Sequence, residues 1–114
     1  NADIINLNVV HNGSIIDGGT GIDTASYANV TTALTVTVNS GNTSAIVNDG
    51  TNSNTLKNIE KIIGGDGNDT FIVSNVAGIN TLDGDGGTNT LQLSGSLDLS
   101  SVTLWNFNNI LISN

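Results

Sequence analysis

The chain has 114 residues, with ten acidic residues against two lysines and no arginine, a net charge of −8 and a pI of about 4.1. That balance excludes ordinary nucleic-acid binding, which relies on Lys and Arg to displace phosphate counterions. Cysteine is absent, which excludes disulfides, thiolate zinc sites and iron–sulfur clusters, and no apolar run of about 18 residues is present to insert in a membrane.

One domain is the natural count at this length. Asn, Gly, Thr and Ser supply 58 residues, about half the chain, yet 37% of residues are hydrophobic and many are β-branched, which argues against a structureless acidic tail. In chain order, Leu34-Thr35-Val36-Thr37-Val38 alternates apolar and polar as a half-buried strand does. Ile59–Ile63 and Phe71-Ile72-Val73 are short apolar runs, and Leu91-Gln92-Leu93 and Val102-Thr103-Leu104 alternate again. Gly, Asn and Asp clusters punctuate these segments every 8–12 residues, the mark of many short strands joined by tight turns.

The turns repeat. Residues 1–27 match 67–93 at an offset of 66, superposing Asp3 on Asp69, Asp17 on Asp83, Gly18 on Gly84, Gly21 on Gly87 and Thr24 on Thr90. Thr55–Ile62 matches Thr103–Ile110 at an offset of 48. The difference of 18 is a longer excursion near residues 28–54. One module made of two degenerate copies, 1–66 and 67–114, follows.

Two turns read G-G-x-G-x-D: Gly18-Gly19-Thr20-Gly21-Ile22-Asp23 and Gly64-Gly65-Asp66-Gly67-Asn68-Asp69. Each leads into x and an apolar residue, Ala25 or Phe71. On these motifs nearly the whole chain resembles the RTX (repeats-in-toxin) calcium-binding repeat regions, and in particular units of bacterial adhesins and surface-layer proteins. The resemblance implies Ca²⁺ held by turn carbonyls and Asp carboxylates, with an ion shared between turns stacked on one edge. Carried over by position, Asp23 and Asp69 are the carboxylate ligands, Gly19, Gly21, Gly65 and Gly67 the carbonyl positions, and Asp66 and Asp85 possible additions. Ca²⁺ wants six to eight oxygens, and glycine lets a turn curl its carbonyls inward. The turn Gly84–Asn89 departs from the pattern with Asn89 in place of Asp, and those around Asn12-Gly13-Ser14 and Gly78-Ile79-Asn80 lack it, so few and weaker sites are expected. Purely structural turns remain the alternative, since Asp and Asn favour turns for their own reasons.

His11 has no Cys or second His to join it in a metal or catalytic group and reads as a turn histidine. Glu60 reads as a surface partner of Lys57 and Lys61, or as a carboxylate to a neighbouring turn. Trp105 reads as packing over an end of the core, with a glycan-stacking platform as the alternative, and Tyr27 as packing under the first-copy strand pair. No Ser-His-Asp relay can be assembled.

The expected fold is all-β, a parallel β-roll or β-solenoid with an inserted β-hairpin or strand pair at about 33–48 that projects from it or packs beside it. Ile5, Ile16, Ile62, Phe71, Leu82, Leu91 and Ile110 would fill the interior. The expected function is a non-enzymatic calcium-binding structural module of a secreted bacterial cell-surface protein: an adhesin stalk, surface-layer segment or extracellular filament. The alternatives are a glycan- or ice-binding module and the secretion-associated C-terminal domain of an extracellular enzyme. A basic-then-apolar leader is missing from the chain, so the expected export signal lies outside it. The junction Asn114-Asn1-Ala2-Asp3 would fall in register with Asp66-Gly67-Asn68-Asp69. The expected partners are therefore neighbouring repeats, or copies of the chain itself end to end, besides any cell-surface glycan.

Overall fold

The computed structural model describes residues 2–39 and 45–113. Among them no helix occurs, and the alternating segments form twelve strands. In order these are β1 (Ile4–Asn6), β2 (Ser14–Asp17), β3 (Thr24–Ser26), β4 (Thr35–Val38), β5 (Ala45–Asn48) and β6 (Ser53–Lys57). Then follow β7 (Lys61–Ile63), β8 (Thr70–Val73), β9 (Thr81–Asp83), β10 (Thr90–Ser94), β11 (Thr103–Trp105) and β12 (Asn109–Ser113).

Two open sheets result. The five-stranded sheet runs β1-β3-β7-β9-β11, and the seven-stranded sheet runs β12-β10-β8-β4-β5-β6-β2. The chain therefore changes sheet after every strand except inside β4–β6. Every pairing in the five-stranded sheet is parallel. In the other, only β4–β5 and β5–β6 are antiparallel.

Register turns the alternation into a core. Ile5, Ala25, Ile62, Leu82 and Leu104 stand in one line across the five-stranded sheet. Val36, Phe71 and Leu91 form a line across the other, beside Val38, Val73 and Leu93. These residues belong to one hydrophobic cluster, with Ile5 and Leu104 at its margin. Full burial of each large side chain contributes about 1.5–3 kcal/mol. Phe107 closes on Phe71 edge to face, with ring centroids 5.1 Å apart.

The insertion differs from expectation. It is neither projecting nor beside the sheet. It is a three-stranded antiparallel meander, β4–β5–β6, built into the seven-stranded sheet between β8 and β2. The reason is chain direction. Three antiparallel strands restore the original sense, so β4 pairs parallel with β8 and β6 parallel with β2; a pair would have reversed it. Val36, Val38, Ala45, Val47 and Leu56 are all buried, which seats the meander on the common core. Residues 40–44 of the expected strand pair and the junction Asn114–Asn1 lie outside the described residues.

Two further expectations are corrected. Ile110 is 58% exposed although it aligns with buried Leu91, because β12 is an outermost strand. Trp105 is also 58% exposed, beside Asp83 on outermost β11, and covers no core. Ile5 and Ile16 are only partly buried. Tyr27 is buried against the meander as expected, donating its hydroxyl to Asn54 Oδ1 on β6 at 3.1 Å. Burial raises the Tyr27 pKa, so the hydroxyl keeps its proton and remains a donor. Asn54, itself buried, donates to the carbonyl of His11; His11 lies exposed beside a turn.

Tyr27→Phe removes the donor to Asn54 Oδ1 and leaves a buried acceptor unpaired. We expect a loss of about 1–3 kcal/mol, read as a lower urea midpoint with unchanged m-value.

Candidate functional site

The site is built from crossings between sheets. Gly18–Asp23 carries the chain from β2 to β3, Gly64–Asp69 from β7 to β8, and Gly84–Asn89 from β9 to β10. The closing residues Asp23, Asp69 and Asn89 are buried. Each tucks its side chain beneath the first glycine of its own turn. A Cβ on Gly18 would stand 2.7 Å from Asp23 Oδ2, one on Gly64 2.6 Å from Asp69 Oδ2, and one on Gly84 2.6 Å from Asn89 Nδ2. Glycine is required at these three places by close approach.

The buried side chains link successive crossings. Leu34 donates its backbone N–H to Asp69 Oδ1, Asp69 donates to Asn89 Oδ1, and Asn89 donates to Asn108 Oδ1, each at 2.8 Å. On the other crossings Asp3 donates to Asp23 Oδ1, and Asp23 donates to Glu60 Oε1, again at 2.8 Å. Glu60 thus fills the second role considered for it, a carboxylate to a neighbouring turn. In return, Thr70 donates its N–H to the Leu34 carbonyl, Thr90 to that of Asp69 and Lys61 to that of Asp23.

The three buried end groups differ at their second atom. Asp69 Oδ2 accepts the Gly65 N–H at 2.8 Å. Asn89 Nδ2 donates to the carbonyls of Asp85, Gly86 and Asn106. Asp23 Oδ2 is buried and finds no hydrogen-bond partner among the described residues. The Asn58 carbonyl and Asp23 Oδ2 both crowd Gly18, 2.5 and 2.7 Å from where its Cβ would stand. In the second copy the corresponding carbonyl is that of Asn106, which Asn89 satisfies.

Outer carboxylates flank the turns. Asp17 Oδ1 accepts from Asn58 Nδ2 and from the Gly19 N–H, and these bonds hold its pKa below the usual range. The same pair recurs in the second copy, where Asp83 Oδ1 accepts from Asn106 Nδ2 and from the Asp85 N–H. Asn58, Asp85 and Asn106 adopt left-handed φ of 52°, 58° and 60°. The Asp85 pKa is raised by desolvation first, then by the charges of Asp83 and Asp66. The Asp69 pKa is raised by desolvation, opposed by the N–H groups of Leu34 and Gly65, and raised further by Asp85 and Asp66.

The predicted residues fall into two separate groups. Gly19, Gly21 and Asp23 occupy a crossing from the seven-stranded to the five-stranded sheet, stacked on Asn58–Glu60. Gly65, Asp66, Gly67, Asp69 and Asp85 lie on crossings of the opposite sense. There Gly64 faces the Gly84 carbonyl, Gly86 faces Asp66, and Gly87 approaches the Gly67 carbonyl. The two G-G-x-G-x-D turns therefore do not stack on each other, because three sheet positions separate them. Sequence reasoning missed Asn58, Asp83, Asn106 and Asn108 as members of the network. The repeat offsets carry that signal, pairing Asn58 with Asn106 and Glu60 with Asn108.

Among the described residues no three His, Asp or Glu side chains group as a metal-binding set; any cation here would depend on backbone carbonyls as well. No family model, curated protein or solved structure matches the chain significantly.

The raised groups set a pH dependence. Because Asp69 and Asp85 bind protons more tightly when folded, their contribution is favourable below the ordinary carboxylate pKa and is lost as pH rises through the raised values. In chelator, acidification from neutrality to just above pH 3.8 should raise the melting temperature through these two groups. Asp85→Asn should flatten that rise in a series of melts at stepped pH.

Proposed function

We propose that the chain is a non-enzymatic, calcium-binding structural module of a secreted bacterial surface protein, folded as a parallel β-roll. The roll reading is supported by the regular change of sheet after each strand and by parallel pairing of strands one circuit apart. Secretion and the surface setting come from the RTX resemblance and accord with the acidic, cysteine-free composition.

The observation that carries the calcium reading is Asp23 Oδ2. A buried carboxylate oxygen with no donor of its own, crowded with a backbone carbonyl around one glycine, is costly unless a cation compensates it. Its counterpart in the second copy is an amide that supplies its own donors. Asp23, the Asn58 carbonyl and the carbonyl positions of Gly19 and Gly21 fit a hard cation that prefers mixed carboxylate and carbonyl oxygens. On the opposite crossings, the repulsion that Asp83 and Asp66 exert on Asp85 is the second feature that Ca²⁺ would relieve. Asp69 is committed to the backbone at both oxygens and contributes chiefly its charge.

Calcium titration by calorimetry, with melts in calcium and in EDTA, tests this. Ca²⁺ in the millimolar range typical of extracellular modules should raise the melting temperature of the natural chain. Asp23→Asn, able to donate to the Asn58 carbonyl as Asn89 does to that of Asn106, should be more stable than the natural chain in EDTA. It should also gain less from calcium. Identical melts in both media would reject the reading.

One observation favours a second reading, a glycan-binding face: Trp105 is 58% exposed on β11. Tryptophan fluorescence should then shift on addition of surface polysaccharide, and Trp105→Ala should abolish retention on a polysaccharide column.

A further inference from the structure

We infer that the β11/β12 end of one molecule docks on the β1/β2 end of a second copy of this chain, continuing both sheets from molecule to molecule. This goes beyond calcium binding and stands on different observations.

The first is a count of sheet positions. With the meander taken as one position, residues 1–66 occupy five alternating positions and residues 67–114 another five. Five is odd, so equivalent strands fall in opposite sheets. β1 lies in the five-stranded sheet, while its equivalent at an offset of 66, β8, lies in the seven-stranded one. Two copies together restore the phase. The position that follows β12 belongs to the five-stranded sheet, where β1 belongs.

The second is the junction already present inside the chain. There the first strands of the second copy, β8 and β9, pair in parallel with β4 and β7. The repeat offsets map β8 and β9 onto β1 and β2, β7 onto β12, and the meander's position onto β11. The same junction carried outward pairs β11 with β1, and β12 with β2, of the next molecule. In the five-stranded sheet the line ending at Leu104 would continue to Ile5 of the second copy, with Thr103 opposite its Ile4.

The third is the surfaces. β1, β2, β11 and β12 each pair on one side only, leaving backbone N–H and C=O groups that template further pairing. Apolar side chains crowd both ends. Ile4 and Ile15 are 72% and 62% exposed at one, and Ile110 and Ile112 58% and 73% at the other. Residues 99–113 carry no charge, whereas the β1/β2 end carries Asp3 and Asp17. Unlike ends therefore meet without like-charge contact, while two β1/β2 ends would oppose their carboxylates.

Cysteine pairing tests the inference on the 114-residue chain in calcium. Mixed under mild oxidation, Thr103→Cys and Ile4→Cys should give the mixed disulfide in preference to either homodimer. The double variant should give a ladder of multimers on a denaturing gel. Ile112→Lys places a charge on a side chain already exposed in the single molecule. It should keep the circular dichroism spectrum and lose the higher-mass species seen by light scattering at high concentration. Predominant Thr103→Cys homodimers, or a folded natural chain that stays monomeric, would overturn the stacking and leave the calcium reading untouched. Assembly unaffected by Ile112→Lys would equally overturn it.

Discussion

At five corners of the chain a backbone N–H donor that a side chain must answer is buried or partly buried. An unanswered donor in that position costs about as much as a buried hydrogen bond. Here the answer comes from a side chain distant in sequence: Asp69 serves Leu34, Asn89 serves Asp69, Asn108 serves Asn89, Asp23 serves Asp3 and Glu60 serves Asp23. Short strands of three to five residues hold little hydrogen bonding of their own. The pairing of neighbouring strands is therefore reinforced by this side-chain ladder.

The ladder asks for an oxygen acceptor but does not dictate whether the rest of the group is charged. That freedom separates structure from ligand chemistry. An Asn rung closes on itself, as Asn89 does with three carbonyls. An Asp rung closes if a glycine N–H is within reach, as at Asp69. At Asp23 neither occurs, because the Gly19 N–H is taken by Asp17 Oδ1. A single electrostatic demand is left at an otherwise satisfied corner. The outer row adds a second, since Asp83 and Asp66 oppose the ionisation of Asp85.

The meander shows how strongly parallel stacking constrains insertions. Added strands must leave the chain running in its former direction, or the flanking strands β8 and β2 cannot both be paired in parallel. Three strands satisfy this, and the lines Val36–Val47 and Val38–Ala45 keep the core continuous through them. The same parity governs the repeat as a whole. An odd number of positions per copy places the equivalent turns Gly18–Asp23 and Gly84–Asn89 on crossings of opposite sense.

Strand positions and the glycines of the turns were legible in the sequence, because each depends on contacts between near neighbours along the chain. Alternation at Leu34–Val38 and the Gly18 and Gly64 turns are of this kind. So was the burial of Tyr27, although its partner Asn54, a polar residue in an apolar setting, was not. Only the tertiary structure decided which turns stack, that Glu60 serves Asp23, that Asp69 is satisfied while Asp23 Oδ2 is not, and that Trp105 and Ile110 are exposed. Those outcomes depend on which strand and turn lie next to a given residue in the sheets. That in turn depends on the parity of strands between distant positions, a quantity that no local pattern records.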